Sequence, residues 1–110
     1  TEIGQEVGFR IGGAAEVSPG RTRLVYETTA IAMQQFLHGA QGVACTHLIV
    51  DEVHNRSVFD DVLLAVVKHH TLANDRQLKV VLMSAATDSS KLAEYFRDEE
   101  GRPAKIVRLE

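Results

Sequence analysis

The sequence holds a single cysteine, Cys45, so no internal disulfide can form. One thiol in an apolar-flanked stretch fits a reducing interior, where a buried bystander is the expected role. No apolar run approaches the roughly 20 residues that cross a bilayer, which excludes a helical membrane anchor within this sequence. A basic excess is lacking too: 12 Lys and Arg against 15 Asp and Glu give a net charge of -3. Charge alone therefore supplies no footprint for a polyanion. The sequence opens on Thr1, without a basic stretch running into an apolar one. It reads as an excised segment of an intracellular protein, cytoplasmic or nuclear. At 110 residues there is room for one domain with a modest core and not for two.

What is present is a rhythm of strand-like apolar runs alternating with helix-period segments, which predicts an α/β sandwich with a largely parallel sheet. Val7 to Ile11 reads as a short strand closed by Gly12 and Gly13, and Ser18-Pro19-Gly20 as a turn before a second strand at Arg23 to Thr28. Thr28 or Thr29 can cap a helix reaching about His38, with Met33, Phe36 and Leu37 on one face and Gly39 as its stop. Ser57 can cap a longer helix to about His70, on which Phe59, Val62, Leu63, Val66, Val67 and His70 follow helical spacing. Leu78 to Met83 reads as a buried strand, Ser89 to Arg97 as a short helix, and Asp98 to Pro103 as a charged turn. Lys105 to Leu109 reads as a last alternating strand.

The most informative feature is the apolar run His47 to Val50, which ends abruptly in Asp51 and Glu52. That is the pattern of a parallel strand whose carboxyl end opens at a site. Nucleotide hydrolysis needs one acid to hold magnesium and another to orient or deprotonate water, and two neighbouring carboxylates answer both needs. On an extended backbone adjacent side chains point to opposite sides, so Asp51 can face a metal while Glu52 addresses a water. His54 is near enough in sequence to report what fills the pocket. Taken alone, an Asp-Glu pair is more often the start of a surface turn.

The pair does not stand alone. Asp51-Glu52-Val53-His54-Asn55-Arg56-Ser57, followed by Asp60, Leu63 and Leu64, resembles motif II of the DEAH/RNA-helicase-A family. Leu82-Met83-Ser84-Ala85, with Asp88 and Tyr95-Phe96 after it, resembles that family's motif III. Val7-Gly8-Phe9 is similar to its Val-Gly-Tyr, and Thr22, Leu24, Tyr26, Thr28 and Thr29 to its strand leading into a Thr-Thr-Gly stretch. Ordered motifs of this kind are far more specific than any single one.

The resemblance implies a partial RecA-like, P-loop-NTPase-like α/β domain over residues 1–110, with a mostly parallel sheet flanked by helices. It implies ATP or another NTP with Mg2+ as cofactors, and an ATP-dependent RNA helicase as the parent protein. Asp51 would hold magnesium through water, Glu52 would activate the attacking water, and both would face the nucleotide. His54 would couple the nucleotide to motif III or to a second RecA-like domain, and Arg56, Ser84, Ala85 and Ala86 would link hydrolysis to movement. Thr28 and Thr29 would lie on the RNA path, where donors at a helix start suit phosphates. The implied partners are RNA, the second domain and protein activators, with no membrane.

The match departs from the family's pattern in several places. No glycine precedes a lysine, so the Gly-x-x-x-x-Gly-Lys phosphate loop is absent, and this segment alone is expected to be inactive. Ala86 stands in place of a Thr, Ala30 of a Gly, Gly12 of an Arg and Asn55 of a Glu. These changes leave open a non-catalytic, helicase-like scaffold that binds RNA or protein. A metal-dependent hydrolase using Asp51, Glu52 and His54 as ligands fits less well, since Asp-Glu-x-His lacks the helical spacing of metal pairs. Without the phosphate-loop strand, marginal stability and unpaired sheet edges are expected.

Overall fold

The computed structural model describes residues 2–38, 45–53, 57–73, 78–85 and 89–109, with the side chains of 70–73 left aside. The expected stop at Gly39 and the family-like Asp88 lie outside the described residues, as does the side chain of His70. The chain divides into two compact units, Thr1–Val43 and Ala44–Glu110. The architecture is mixed α/β, and its strands form two small sheets, ordered β2-β1-β3 and β4-β5.

The first unit is built from β1 (Val7–Ile11), β2 (Ala14–Glu16), β3 (Leu24–Glu27) and α1 (Thr29–Leu37). Gly12 and Gly13 do more than end β1: they form a two-residue loop that returns the chain antiparallel as β2, with Ile11 opposite Ala14. Gly13 takes a positive φ of 85° there, which a side chain would resist. The next corner is the turn expected at Ser18-Pro19-Gly20. The Arg21 N–H donates to the Ser18 carbonyl at 3.0 Å, and Gly20 takes φ 78° after a proline that presets its own φ. β3 then runs parallel to β1 with Arg10 opposite Glu27. Its inward residues are Val25 and Glu27, while Leu24 and Tyr26 face solvent.

α1 starts as expected at Thr28, whose extended backbone and hydroxyl cap the helix by accepting the Ile31 N–H. Its buried residues are Ala32 and Phe36, four apart on one face; Leu37, expected there, is exposed.

The second unit contains β4 (His47–Val50), α2 (Val58–Ala73), β5 (Lys79–Leu82) and α3 (Ser89–Tyr95). β4 and β5 pair in parallel with Val50 opposite Leu82, so this is a β-α-β unit crossing over through α2. One sheet face carries the half-buried or buried Leu48, Val50, Val80 and Leu82. The other leaves Ile49 and Val81 exposed, so β4 is not buried on both faces. His47 is exposed, and its Nδ1 lies 2.9 Å from the Thr46 hydroxyl. Cys45 is exposed as well, contrary to the expected buried thiol.

α2 begins with a reciprocal cap. The Asp60 N–H donates to Ser57 Oγ at 3.0 Å while the Ser57 N–H donates to Asp60 Oδ2 at 3.2 Å. This is a capping box with Asp in the usual place of Glu, and it explains why an acid is tolerated at a buried position. Leu63, Leu64 and Val67 are buried, each worth about 1.5 to 3 kcal/mol for removal from water. Phe59 and Val62, expected on that face, are exposed. In α3 the buried residue is Ala93, while Tyr95 is exposed and makes an edge contact with Phe96. The charged turn after α3 closes through the Asp98 N–H to the Arg102 carbonyl and the Gly101 N–H to the Asp98 carbonyl. Lys105 to Leu109 forms no strand and is exposed throughout, because no neighbour among the described residues pairs with it.

Candidate functional site at the carboxyl end of β4

Two backbone hydrogen bonds define how Asp51 and Glu52 are held. The Met83 N–H donates to the Val50 carbonyl at 2.8 Å, and the Val53 N–H donates to the Met83 carbonyl at 3.1 Å. In a regular parallel ladder the residue opposite Asp51 would bond to residues 50 and 52; here the second bond comes from residue 53. One extra residue is thus accommodated, and Asp51-Glu52 forms a bulge pushed out of the ladder. Bulges re-aim side chains and gather next to active sites. The excursion is anchored at both ends, by Val50 and by Val53, which is 1% exposed.

The backbone records the cost. Glu52 has φ 56°, the single positive φ outside glycine among the described residues. A left-handed conformation costs an L-residue about 1 to 2 kcal/mol. Strain held at one acidic residue, between two fixed neighbours, is the kind of outlier that accompanies function. It also corrects the simple expectation that the two acids diverge because they alternate on a strand: Asp51 follows the strand, and Glu52 is aimed by the turn. The Glu52 N–H donates to Asp51 Oδ1 at 2.8 Å, tying the two residues into one local unit. Both acids are exposed.

A left-handed backbone at position 52 should accept glycine better than alanine. Glu52→Gly is expected to be more stable than Glu52→Ala by about 1 kcal/mol in denaturant unfolding. Equal stabilities would mean that residue 52 is not held left-handed.

Ser84 and Ala85 follow β5, the strand paired with β4, and are exposed at the same carboxyl end. The second unit therefore brings together Asp51, Glu52, Ser84 and Ala85 among the residues singled out in the sequence. His54, Arg56 and Ala86 lie outside the described residues, as does Asn55. Thr28 and Thr29 belong to the first unit, at the start of α1: Thr28 is exposed and Thr29 half-buried. Sequence reasoning missed the bulge and its anchor Met83, since no glycine at position 52 signals a positive φ.

Among the described residues no group of three or more His, Cys, Asp or Glu side chains could hold a metal ion. One exposed carboxylate with a second oxygen still suits magnesium, which keeps several waters and takes one or two carboxylates together with substrate phosphates. The donor chemistry at Asp51 therefore fits a magnesium ion that arrives with a nucleotide. No described helix is long and apolar enough to cross a membrane.

Known proteins give this geometry a context. No family model matches the chain. In structure it is similar to the DEAH/RHA helicase HrpB of Escherichia coli, with a TM-score of 0.70 and 29% identity over 78% of this chain and 11% of that one. The chain is thus similar in structure to part of a DEAH/RHA helicase. In sequence it is 43% identical to the probable ATP-dependent RNA helicase spindle-E of Aedes aegypti over 96 residues, 87% of this chain. It is 36% identical to the human ATP-dependent RNA helicase TDRD9 over 111 residues, 98% of this chain. The chain spans 7% and 8% of the length of these two relatives.

Proposed function

We propose that this segment belongs to the first RecA-like domain of an ATP-dependent RNA helicase, in which nucleotide hydrolysis drives RNA unwinding or the remodelling of RNA-protein assemblies. The carrying observation is the Asp51-Glu52 bulge at the carboxyl end of β4, beside the Ser84 end of β5. Carboxyl ends of parallel strands are where such folds gather ligands. Asp51 would hold magnesium through a bound water, and the ion, when bound, supplies charge neutralisation to the nucleotide phosphates. Glu52, aimed by the bulge and not by strand alternation, would orient a water and accept its proton.

Val53 and Met83 would keep the two acids in register with β5. Ser84 and Ala85, with Ala86, His54 and Arg56, would pass the state of the nucleotide to the rest of the motor. Thr28 and Thr29 would meet the RNA backbone. The Thr28 oxygen already accepts from Ile31, so its hydroxyl hydrogen can serve a phosphate. A second RecA-like domain and a phosphate loop would come from elsewhere in the longer protein, so that this segment alone is inactive.

ATP turnover by the full-length protein, with and without RNA and with Glu52 intact or changed to Gln, tests the reading. RNA-stimulated turnover that disappears in the variant supports it. Turnover indifferent to both RNA and the substitution contradicts it.

A further inference from the structure

In the first unit a half-buried carboxylate lies at the meeting point of three elements. Glu27, whose side chain is 16% exposed, ends β3 and directly precedes the helix cap Thr28. Arg10 is its register partner on β1, with a guanidinium nitrogen 3.7 Å from Glu27 Oε2. Gln35 reaches the same carboxylate from α1. With its amide turned to satisfy both neighbours, its nitrogen donates to Glu27 Oε1 at 3.0 Å and its oxygen accepts from Arg10 at 3.1 Å. Gln35 lies seven residues beyond Thr28, about two turns along the same helix face.

Burial raises the Glu27 carboxyl above its ordinary range, against the lowering pull of Arg10 and of the Gln35 hydrogen bond. A charge kept where desolvation outweighs attraction is a poor device for stability alone. Its geometric effect is specific: α1 continues directly from β3 through the cap Thr28, and it is tied back to β3 two turns later at Gln35 to Glu27. Two attachments fix the direction of the helix start as well as its position.

Resting on the helicase reading above, we propose that Glu27, with Arg10 and Gln35, is a positioning residue that sets the aim of the Thr28-Thr29 helix start toward the RNA backbone. It touches neither RNA nor nucleotide and acts through the β3-α1 corner. The corner matters for RNA engagement because the hydroxyl and backbone donors of a helix start contact phosphates only over hydrogen-bond distances.

The test measures ATP turnover of the full-length protein against the concentration of a single-stranded RNA oligonucleotide. Glu27→Ala and Gln35→Ala are each expected to raise the half-saturating RNA concentration about tenfold, while turnover at saturating RNA changes less than about twofold. Combining them should add little, because both remove one interaction. The exchange Arg10→Glu with Glu27→Arg should recover RNA affinity relative to either single change, and the near-constant turnover at saturating RNA separates the effect from loss of folding. Variants that match the unaltered protein in RNA affinity, or an exchange that rescues nothing, overturn the positioning role alone. An unaltered protein that hydrolyses ATP without regard to RNA overturns the helicase reading and this inference with it.

Discussion

Glu52→Gln in the full-length protein is expected to lower ATP turnover by roughly 10²- to 10⁴-fold, the range that a positioned general base contributes. Nucleotide affinity should change little, because the amide keeps the size and a hydrogen-bonding oxygen of the carboxylate and loses only its proton-accepting charge. The expectation has a structural reason beyond the identity of the residue. Glu52 is fixed in a left-handed conformation between Val50 and Val53, both bonded to Met83, so the variant side chain keeps its aim. The loss should therefore appear in turnover and not in half-saturation by ATP. A weakened nucleotide affinity with intact turnover would assign Glu52 to binding; unchanged values of both would remove it from the reaction.

The largest effect on folding is expected at Gly8. This buried glycine of β1 has no room for a Cβ: one built there would collide with the Glu16 carbonyl oxygen and come within 3.2 and 3.3 Å of methyl groups on Thr22 and Val17. The opposing atom belongs to the backbone of β2, which is held in register with β1 and cannot rotate aside as a side chain would. Thr22 is equally committed, accepting the Ser18 N–H at 2.8 Å and donating to the Gln5 carbonyl. Gly8→Ala is expected to cost about 2 to 3 kcal/mol, the upper part of the range for overpacking. Against a total stability of about 5 to 15 kcal/mol for an ordinary domain, that is a large share. The check is the denaturant midpoint at constant slope; a shift worth under about 0.5 kcal/mol would show that β2 gives way.

The sequence was most readable where local chemistry and burial agreed. β4 announces itself by a run of apolar residues cut off by two acids, and α2 by Ser57 and Asp60, whose reciprocal bonds are local. It was least readable where one residue type takes another's usual place. In β3 the apolar Leu24 and Tyr26 face solvent and the acid Glu27 faces in, because Arg10 and Gln35, distant in sequence, satisfy it. β2 is three residues of no strand preference, held by the hairpin closure and by its fit over Gly8. Lys105 to Leu109 alternates like a strand, yet alternation needs a partner to become one.

For the candidate site, the position of the acids at a strand end followed from sequence, but their geometry did not. A left-handed glutamate carries no compositional mark. It becomes visible only when the bonds from Met83 are found to span one residue too many.

The proposed function requires the Asp51-Glu52 bulge to face a metal-bound nucleotide and its attacking water. A crystal structure of the full-length protein with magnesium and a non-hydrolysable ATP analogue tests this most directly. The expected result places an Asp51 carboxylate oxygen within hydrogen-bond distance, about 2.6 to 3.0 Å, of a magnesium-bound water. Glu52 should stand at a similar distance from a water in line with the terminal phosphate. Both carboxylates pointing into bulk solvent, with the ion held entirely by other groups, would rule out these roles for Asp51 and Glu52.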